Sequence, residues 1–220
     1  MQFPVYKGIV TTGFYDPRPY SKPIAERTNY HRGWDIVASN EAERETVIRA
    51  PEAGELIFHL IHRSDREQSA DFYWPDSNWY IFSRFFFDTY GCCTILLGES
   101  GLTYMFAHQD EFEFYRLMLN RCMHNDMKQS RADVRKSYNK WVQSLLTFRQ
   151  PVAVKQGAPI GMIGNSGYST GAHLHMQIHE SHKDYGSRID PAELWPDKYI
   201  HDNGNGPVKG VKNKHKGVVG

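Results

Sequence analysis

The stretch 152–180, VAVKQGAPIGMIGNSGYSTGAHLHMQIHE, constrains this chain most. Apolar and polar residues alternate along it, and glycines interrupt it at short intervals. That pattern belongs to short antiparallel strands joined by tight turns, because strand side chains point alternately to opposite faces and glycine adopts backbone angles that other residues avoid. The closing run, HLHMQIHE, is polar, apolar, polar. As a strand it puts His173 and His175 on one face and turns Leu174, Met176 and Ile178 the other way, toward a core. Two imidazoles side by side on a sheet either hold a metal together or divide the work, one binding it while the other moves protons.

The first hundred residues also read as β. GIVTTGF (8–14) runs from a strand into a turn, and three prolines make DPRPYSKP (16–23) a loop. DIVA (35–38) and ELIFHLI (55–61) are strand-like with PEAG (51–54) as a turn, and YIFSRFFF (80–87), CCTILLG (92–98) and LTYMFAH (102–108) are further β-rich runs. Between them, 62–79 is polar and then aromatic and reads as an inserted loop. Its Phe72, Tyr73 and Trp74, with Trp79 and Tyr80, are candidates for a groove wall or for a cap over the sheet.

The period changes at about 112–147. Phe114, Leu117, Met118 and Cys122 recur at helical spacing, and Val134, Tyr138, Trp141 and Leu145 lie on one helix face. A helical insertion in a β protein is therefore expected, within a segment (111–150) that carries eight Lys/Arg against four Asp/Glu. The expected fold is mostly β, an antiparallel sheet in a single domain over 1–200, with insertions near 62–79 and 111–150. The basic, Gly-rich stretch 201–220 reads as a flexible tail.

Composition narrows the function less than the motifs do. A net charge of +1 gives no electrostatic case for a nucleic-acid partner, and none is expected. No run approaches the roughly 20 apolar residues of a membrane span. Cys92, Cys93 and Cys122 cannot form a closed disulfide framework; the first two are adjacent in a strand and so face opposite sides.

HRGWD (31–35) adds a neutral nitrogen donor and an anionic oxygen donor, His31 and Asp35, with Gly33 freeing the backbone between them. With His175 they make three protein ligands, the number a catalytic zinc uses while keeping its fourth position for water. Of the other histidines, His59, His62, His124, His182, His201 and His215 read as structural or solvent-exposed; His179 shares the face of His175 and is the nearest rival.

HRGWD, the strand ending in FAH (106–108) and GYSTGAHLH (167–175) stand in one order, and together the sequence resembles the lysostaphin/LytM-type zinc endopeptidases. Supporting segments are similar in kind: TTGF, IRAPEAGEL, YGCCTILLGESGLTYMFAH, VKQGAPIGMIGNSGYSTG and IDPAELW. The resemblance implies a sheet fold of that type, zinc on His31, Asp35 and His175, and catalytic roles for His108 and His173. It implies hydrolysis of peptide bonds in bacterial peptidoglycan, or, as the alternative, a non-catalytic binding or structural module on the same fold. Tyr168 and Asn165 in the Gly-rich turn, with Phe106, are the substrate-groove candidates. Phe106 stands where the family usually has a tyrosine, two residues before His108, and a phenyl ring cannot donate to an oxyanion. The N-terminus shows no signal-peptide pattern. A phage virion or tail-tip protein, with other virion proteins as partners, and a secreted wall enzyme are the two settings this suggests. If the oxyanion donor is simply missing, Phe106→Tyr is expected to raise turnover modestly at unchanged zinc content.

Overall fold

The computed structural model describes residues 1–14, 31–39, 46–59, 89–114, 117, 151–184 and 187–198. Among these residues are ten short strands: β1 (Ile9–Thr12), β2 (Trp34–Val37), β3 (Val47–Arg49), β4 (Gly54–His59), β5 (Cys93–Gly98), β6 (Thr103–Ala107), β7 (Val152–Val154), β8 (Pro159–Met162), β9 (Leu174–His179) and β10 (Arg188–Ile189). Eight form one antiparallel sheet in the order β1-β2-β9-β6-β5-β4-β7, with β10 also paired to β9; β3 and β8 make a second, two-stranded sheet. The expected antiparallel β architecture is what the chain adopts. Sequence patterning missed β3 and β10, each three residues or fewer and too short for a period to show.

Burial on both faces makes the central strands apolar. Every residue of β6 and β9 is buried. On one side Trp34, Ile36, Leu56, Leu96, Tyr104, Phe106, Leu174, Met176 and Ile178 pack with Val5, Ile48 and Ile160 from the N-terminal segment and the small sheet. On the other, Ile57, Tyr90, Cys93, Ile95, Met105 and Ala107 form a second cluster. Cys92 belongs to the first and Cys93 to the second, opposite faces as strand alternation requires, and neither is in a disulfide.

At 111–114 the chain turns helical, with the Glu113 amide donating to Asp110 Oδ1 (2.9 Å), as a helix N-terminus requires. Most of the expected helical insertion, the aromatic stretch 62–79 and the tail 201–220 lie outside the described residues. Two short 3-10 turns, Pro191–Glu193 and Pro196–Lys198, close the described chain, the first capped by Asp190. Among the described residues no helix is long and apolar enough to cross a membrane.

The pairing of β2 with β9 is close. A Cβ on Gly33 would run into the Met176 carbonyl on β9, so only glycine lets the chain enter β2 at this distance. Gly33→Ala should part the two strands and lower stability by about 1–3 kcal/mol, the scale of overpacking in a filled interior. Gly171→Ala meets nothing within 4 Å and is expected to leave the thermal midpoint unchanged. Thermal unfolding of both variants checks the contrast; equal midpoints would show that β2 and β9 have room to spare.

Candidate metal centre

Register brings the two motifs together. Asp35 and His175 are cross-strand partners in the β2–β9 pairing, and Ala107 of β6 faces His175 from the other side. His31 sits four residues before Asp35 in the approach to β2. Its ring is buried, and Nδ1–H donates to the Gly13 carbonyl (3.0 Å), in the TTGF segment. The acceptor fixes the tautomer: the proton is on Nδ1 and Nε2 is bare.

Three donor atoms then converge. His31 Nε2 lies 2.9 Å from Asp35 Oδ1 and 3.0 Å from His175 Nδ1, and His175 Nδ1 lies 2.8 Å from Asp35 Oδ1. They are the group of candidate metal ligands among the described residues. A bare nitrogen facing a carboxylate oxygen at this distance calls for a cation between them, so the residues fit a small metal ion. Two imidazole nitrogens and one carboxylate oxygen are a donor set that suits zinc.

Electrostatics agrees. Burial pushes the Asp35 carboxyl up, but the neighbouring His175 and His31 rings outweigh it and hold the group well below the usual carboxylate range. Burial takes the His175 imidazole down to about 3, against the pull of Asp35. At neutral pH the pair is an ionised carboxylate and a neutral imidazole, the forms a metal takes.

Two further histidines border the ligands. The His173 and His108 ring centroids are 4.8 Å apart, and His108 is 5.8 Å from His175. His173 Nδ1–H donates to Gly171 O (2.8 Å) and His108 Nδ1–H to Ser166 O (2.8 Å). Both therefore keep Nε2 as the proton-accepting atom, and that of His173 lies 3.5 Å from Asp35 Oδ1.

His108 reaches this place by breaking the strand rule. Met105 and Ala107 lie on the His175 face of β6 while Tyr104 and Phe106 lie on the other, so alternation would send His108 away. Its φ of +60° turns the side chain back. That backbone costs roughly 1–2 kcal/mol for a residue with a Cβ. Ser166 holds it: besides accepting from His108, its Oγ donates to Gln109 O (2.8 Å) and accepts from the Cys92 amide (2.9 Å). Gly91 and Gly167, both at positive φ, pack against each other so closely that a Cβ on either would meet backbone.

All five histidine and aspartate positions expected from the motifs are thus gathered at one place. Asn165 and Tyr168 are exposed on the turn that supplies Ser166, Tyr168 at 81%. Phe106 requires correction: its ring is fully buried in the first core cluster and stacks with Tyr104 at 6.3 Å, so it does not line a groove. The expectation came from the resemblance, which sets Phe106 where the family usually has a tyrosine; in this chain the position packs in the core. His179 is buried on the His175 face, four residues along β9, which is about 13 Å at strand rise and out of ligand range. Ser166, Tyr90 and Gln177 escaped notice in the sequence. Tyr90 stacks on His175 (5.7 Å, 26°), and Gln177 contacts His175 Nε2; only Gln177 had a signal, its place two residues beyond His175 on the same face.

Fold and site together define a β-sheet protein with a His–Asp–His candidate metal centre. Neither a family model nor a curated protein matches the chain. Among solved structures it is similar to peptidases of the M23 and lysostaphin type. The catalytic domain of lysostaphin from Staphylococcus simulans is 19% identical with a TM-score of 0.43, over 87% of this chain and 92% of that one. The catalytic domain of the prophage-encoded M23 protein EnpA from Enterococcus faecalis is 16% identical, TM-score 0.40, over 84% and 88%. A zinc-containing peptidase from Vibrio cholerae is 16% identical, TM-score 0.44, over 86% of this chain; the match spans 37% of that peptidase. The chemistry of the site rests on this chain's own residues.

With Phe106 in the core, the expected effect of Phe106→Tyr reverses. The added hydroxyl enters a filled apolar cluster and should lower stability by about 1–3 kcal/mol. Zinc content should stay at the parent level and turnover should not rise. A rise in turnover at equal zinc occupancy would overturn this placement of the ring.

Proposed function

We propose that the chain is a zinc-dependent endopeptidase that hydrolyses peptide bonds in bacterial peptidoglycan. The observation that carries the reading is the convergence of His31 Nε2, Asp35 Oδ1 and His175 Nδ1, bordered by His108 and His173, whose Nδ1–H groups donate to the Ser166 and Gly171 carbonyls. The sequence resemblance to lysostaphin/LytM-type enzymes supports the substrate class. The alternative reading is a non-catalytic module on the same fold, which the phenylalanine at 106 favours in the sequence.

Zinc on His31, Asp35 and His175 would supply Lewis acidity, polarising the scissile carbonyl and lowering the pKa of water toward neutrality. The remaining work falls to the chain's own side chains. His108 and His173 are held as Nδ1–H tautomers, so either Nε2 can accept the proton of the attacking water. The imidazolium so formed is an acid beside the cleaved bond, and its proton goes to the departing amine. Asp35, already ionised, balances positive charge at the centre.

The purified protein is expected to hold about one zinc, and His31→Ala, Asp35→Ala and His175→Ala should each lose it, since a catalytic zinc has three protein ligands. Elemental analysis decides this; full zinc in all three variants would end the assignment. His108→Ala and His173→Ala should keep zinc yet lose about 10²-fold or more in turnover on purified peptidoglycan, the scale of a lost acid–base group. Zinc loss in His173→Ala would exchange the roles of His173 and His175, and near-parental rates would remove the position from catalysis.

A further inference from the structure

We propose that Gln177 is the positioning residue of the candidate metal centre: it holds the His175 ring with Nδ1 turned toward Asp35 and His31. The proposal rests on the metal reading above and adds to it a residue that the sequence motifs do not include.

Gln177 is fully buried two residues beyond His175 on β9, and the strand period puts both side chains on the same face. Its amide nitrogen lies 2.9 Å from His175 Nε2, the ring atom opposite the one that meets Asp35. The same nitrogen donates to the Tyr90 hydroxyl at 3.0 Å. Its carbonyl accepts from Arg188 Nε at 3.1 Å. Arg188 comes from β10, which pairs with β9 beside Gln177, at His179 and Ile178. Tyr90 closes the other side by stacking on the His175 ring. Gln177 is thus held at both ends of its amide while it touches the one ring atom that the ligand set leaves over.

An imidazole with one nitrogen turned to a metal can still swing about χ1 and χ2, and a partner on its second nitrogen removes that freedom. Such partners set ring orientation and basicity, and their loss typically weakens metal binding about 10- to 100-fold. A primary amide suits either form of the ring. Its NH2 donates to a bare Nε2, as it does while Nδ1–H is bonded to Asp35. Once a metal replaces the proton on Nδ1 the ring carries Nε2–H, and the amide meets it by turning its carbonyl to Nε2 and giving up the bond from Arg188. A carboxylate in its place offers only acceptors, which match the metal-bound ring and still satisfy Arg188 and the Tyr90 hydroxyl. An apolar side chain of similar length offers neither.

The experiment measures zinc affinity by chelator competition for the parent chain, Gln177→Met, Gln177→Glu and His31→Ala, with thermal unfolding of each zinc-free protein. Gln177→Met is expected to weaken zinc about 10- to 100-fold, and Gln177→Glu to bind at least as tightly as the parent. The His175 ring nitrogens, followed by NMR in the zinc-loaded proteins, should show a single ring state in the parent and in Gln177→Glu. Parental zinc affinity in Gln177→Met overturns the proposal. So does a loss in Gln177→Glu equal to that in Gln177→Met, because packing rather than the polar contact would then be at work. If Gln177→Met does not fold, Gln177→Glu and the ring signals decide alone: weakened zinc or a mobile His175 ring in Gln177→Glu overturns it. His31→Ala keeps the two readings apart. Zinc retained there sinks the metal centre itself, whereas zinc lost there and retained in Gln177→Met sinks only the role of Gln177.

Discussion

Asp35 and His175 face each other because β2 pairs with β9 in one register, and every other part of the site is arranged around that pair. A slip of one residue would turn the Asp35 side chain into the Trp34 and Ile36 core and bring an isoleucine or a tryptophan to the metal face. The core itself prevents the slip. Trp34 and Ile36 are fully buried on one side of β2 and Leu174 and Met176 on the same side of β9, so the apolar pattern of both strands locks the register that the polar residues need. Gly33 completes the arrangement by letting β2 begin against the Met176 carbonyl, and His31 follows into position above Asp35.

The site is also where the sheet departs from regularity. His108 occupies a left-handed backbone that an ordinary strand residue avoids, and it sits on the border of the candidate metal centre. The unfavourable backbone is offset by a dense set of contacts: the Tyr90 carbonyl accepts from the His108 amide, and Ser166 ties His108, Gln109 and Cys92 to the Gly-rich turn. Gly91 and Gly167 make that docking close enough to work. The Gly-rich turn therefore does two things, orienting His173 through the Gly171 carbonyl and His108 through the Ser166 carbonyl.

Much of this was legible in the chain. Alternation in HLHMQIHE placed His173 and His175 on one face with Leu174, Met176 and Ile178 opposite, and the core has that division. HRGWD supplied the other two ligand candidates, and they arrive beside His175. Phe106 shows the boundary of such reading. The resemblance set it beside His108 as a groove candidate, but its side chain belongs to the core while the positive φ of His108 turns that residue the other way. Tyr90 shows another boundary, since an aromatic just before β5 has no local pattern that ties it to an imidazole, whereas Gln177 had only its place two residues beyond His175.

The sequence by itself pointed to the antiparallel sheet, through periods of two and glycine turns that are local properties of the chain, and to the five polar residues, through motifs that resemble those of lysostaphin/LytM-type enzymes. Only the tertiary structure decided which atoms of those residues meet. Which nitrogen of each histidine faces the centre depends on acceptors far along the chain: Gly13 for His31 and Ser166 for His108. The exclusion of Phe106, the turning inward of His108 and the hold of Gln177 on His175 likewise come from pairings between segments distant in sequence. No residue's own neighbours in the chain specify such pairings; they arise when burial of both sheet faces fixes the strand order.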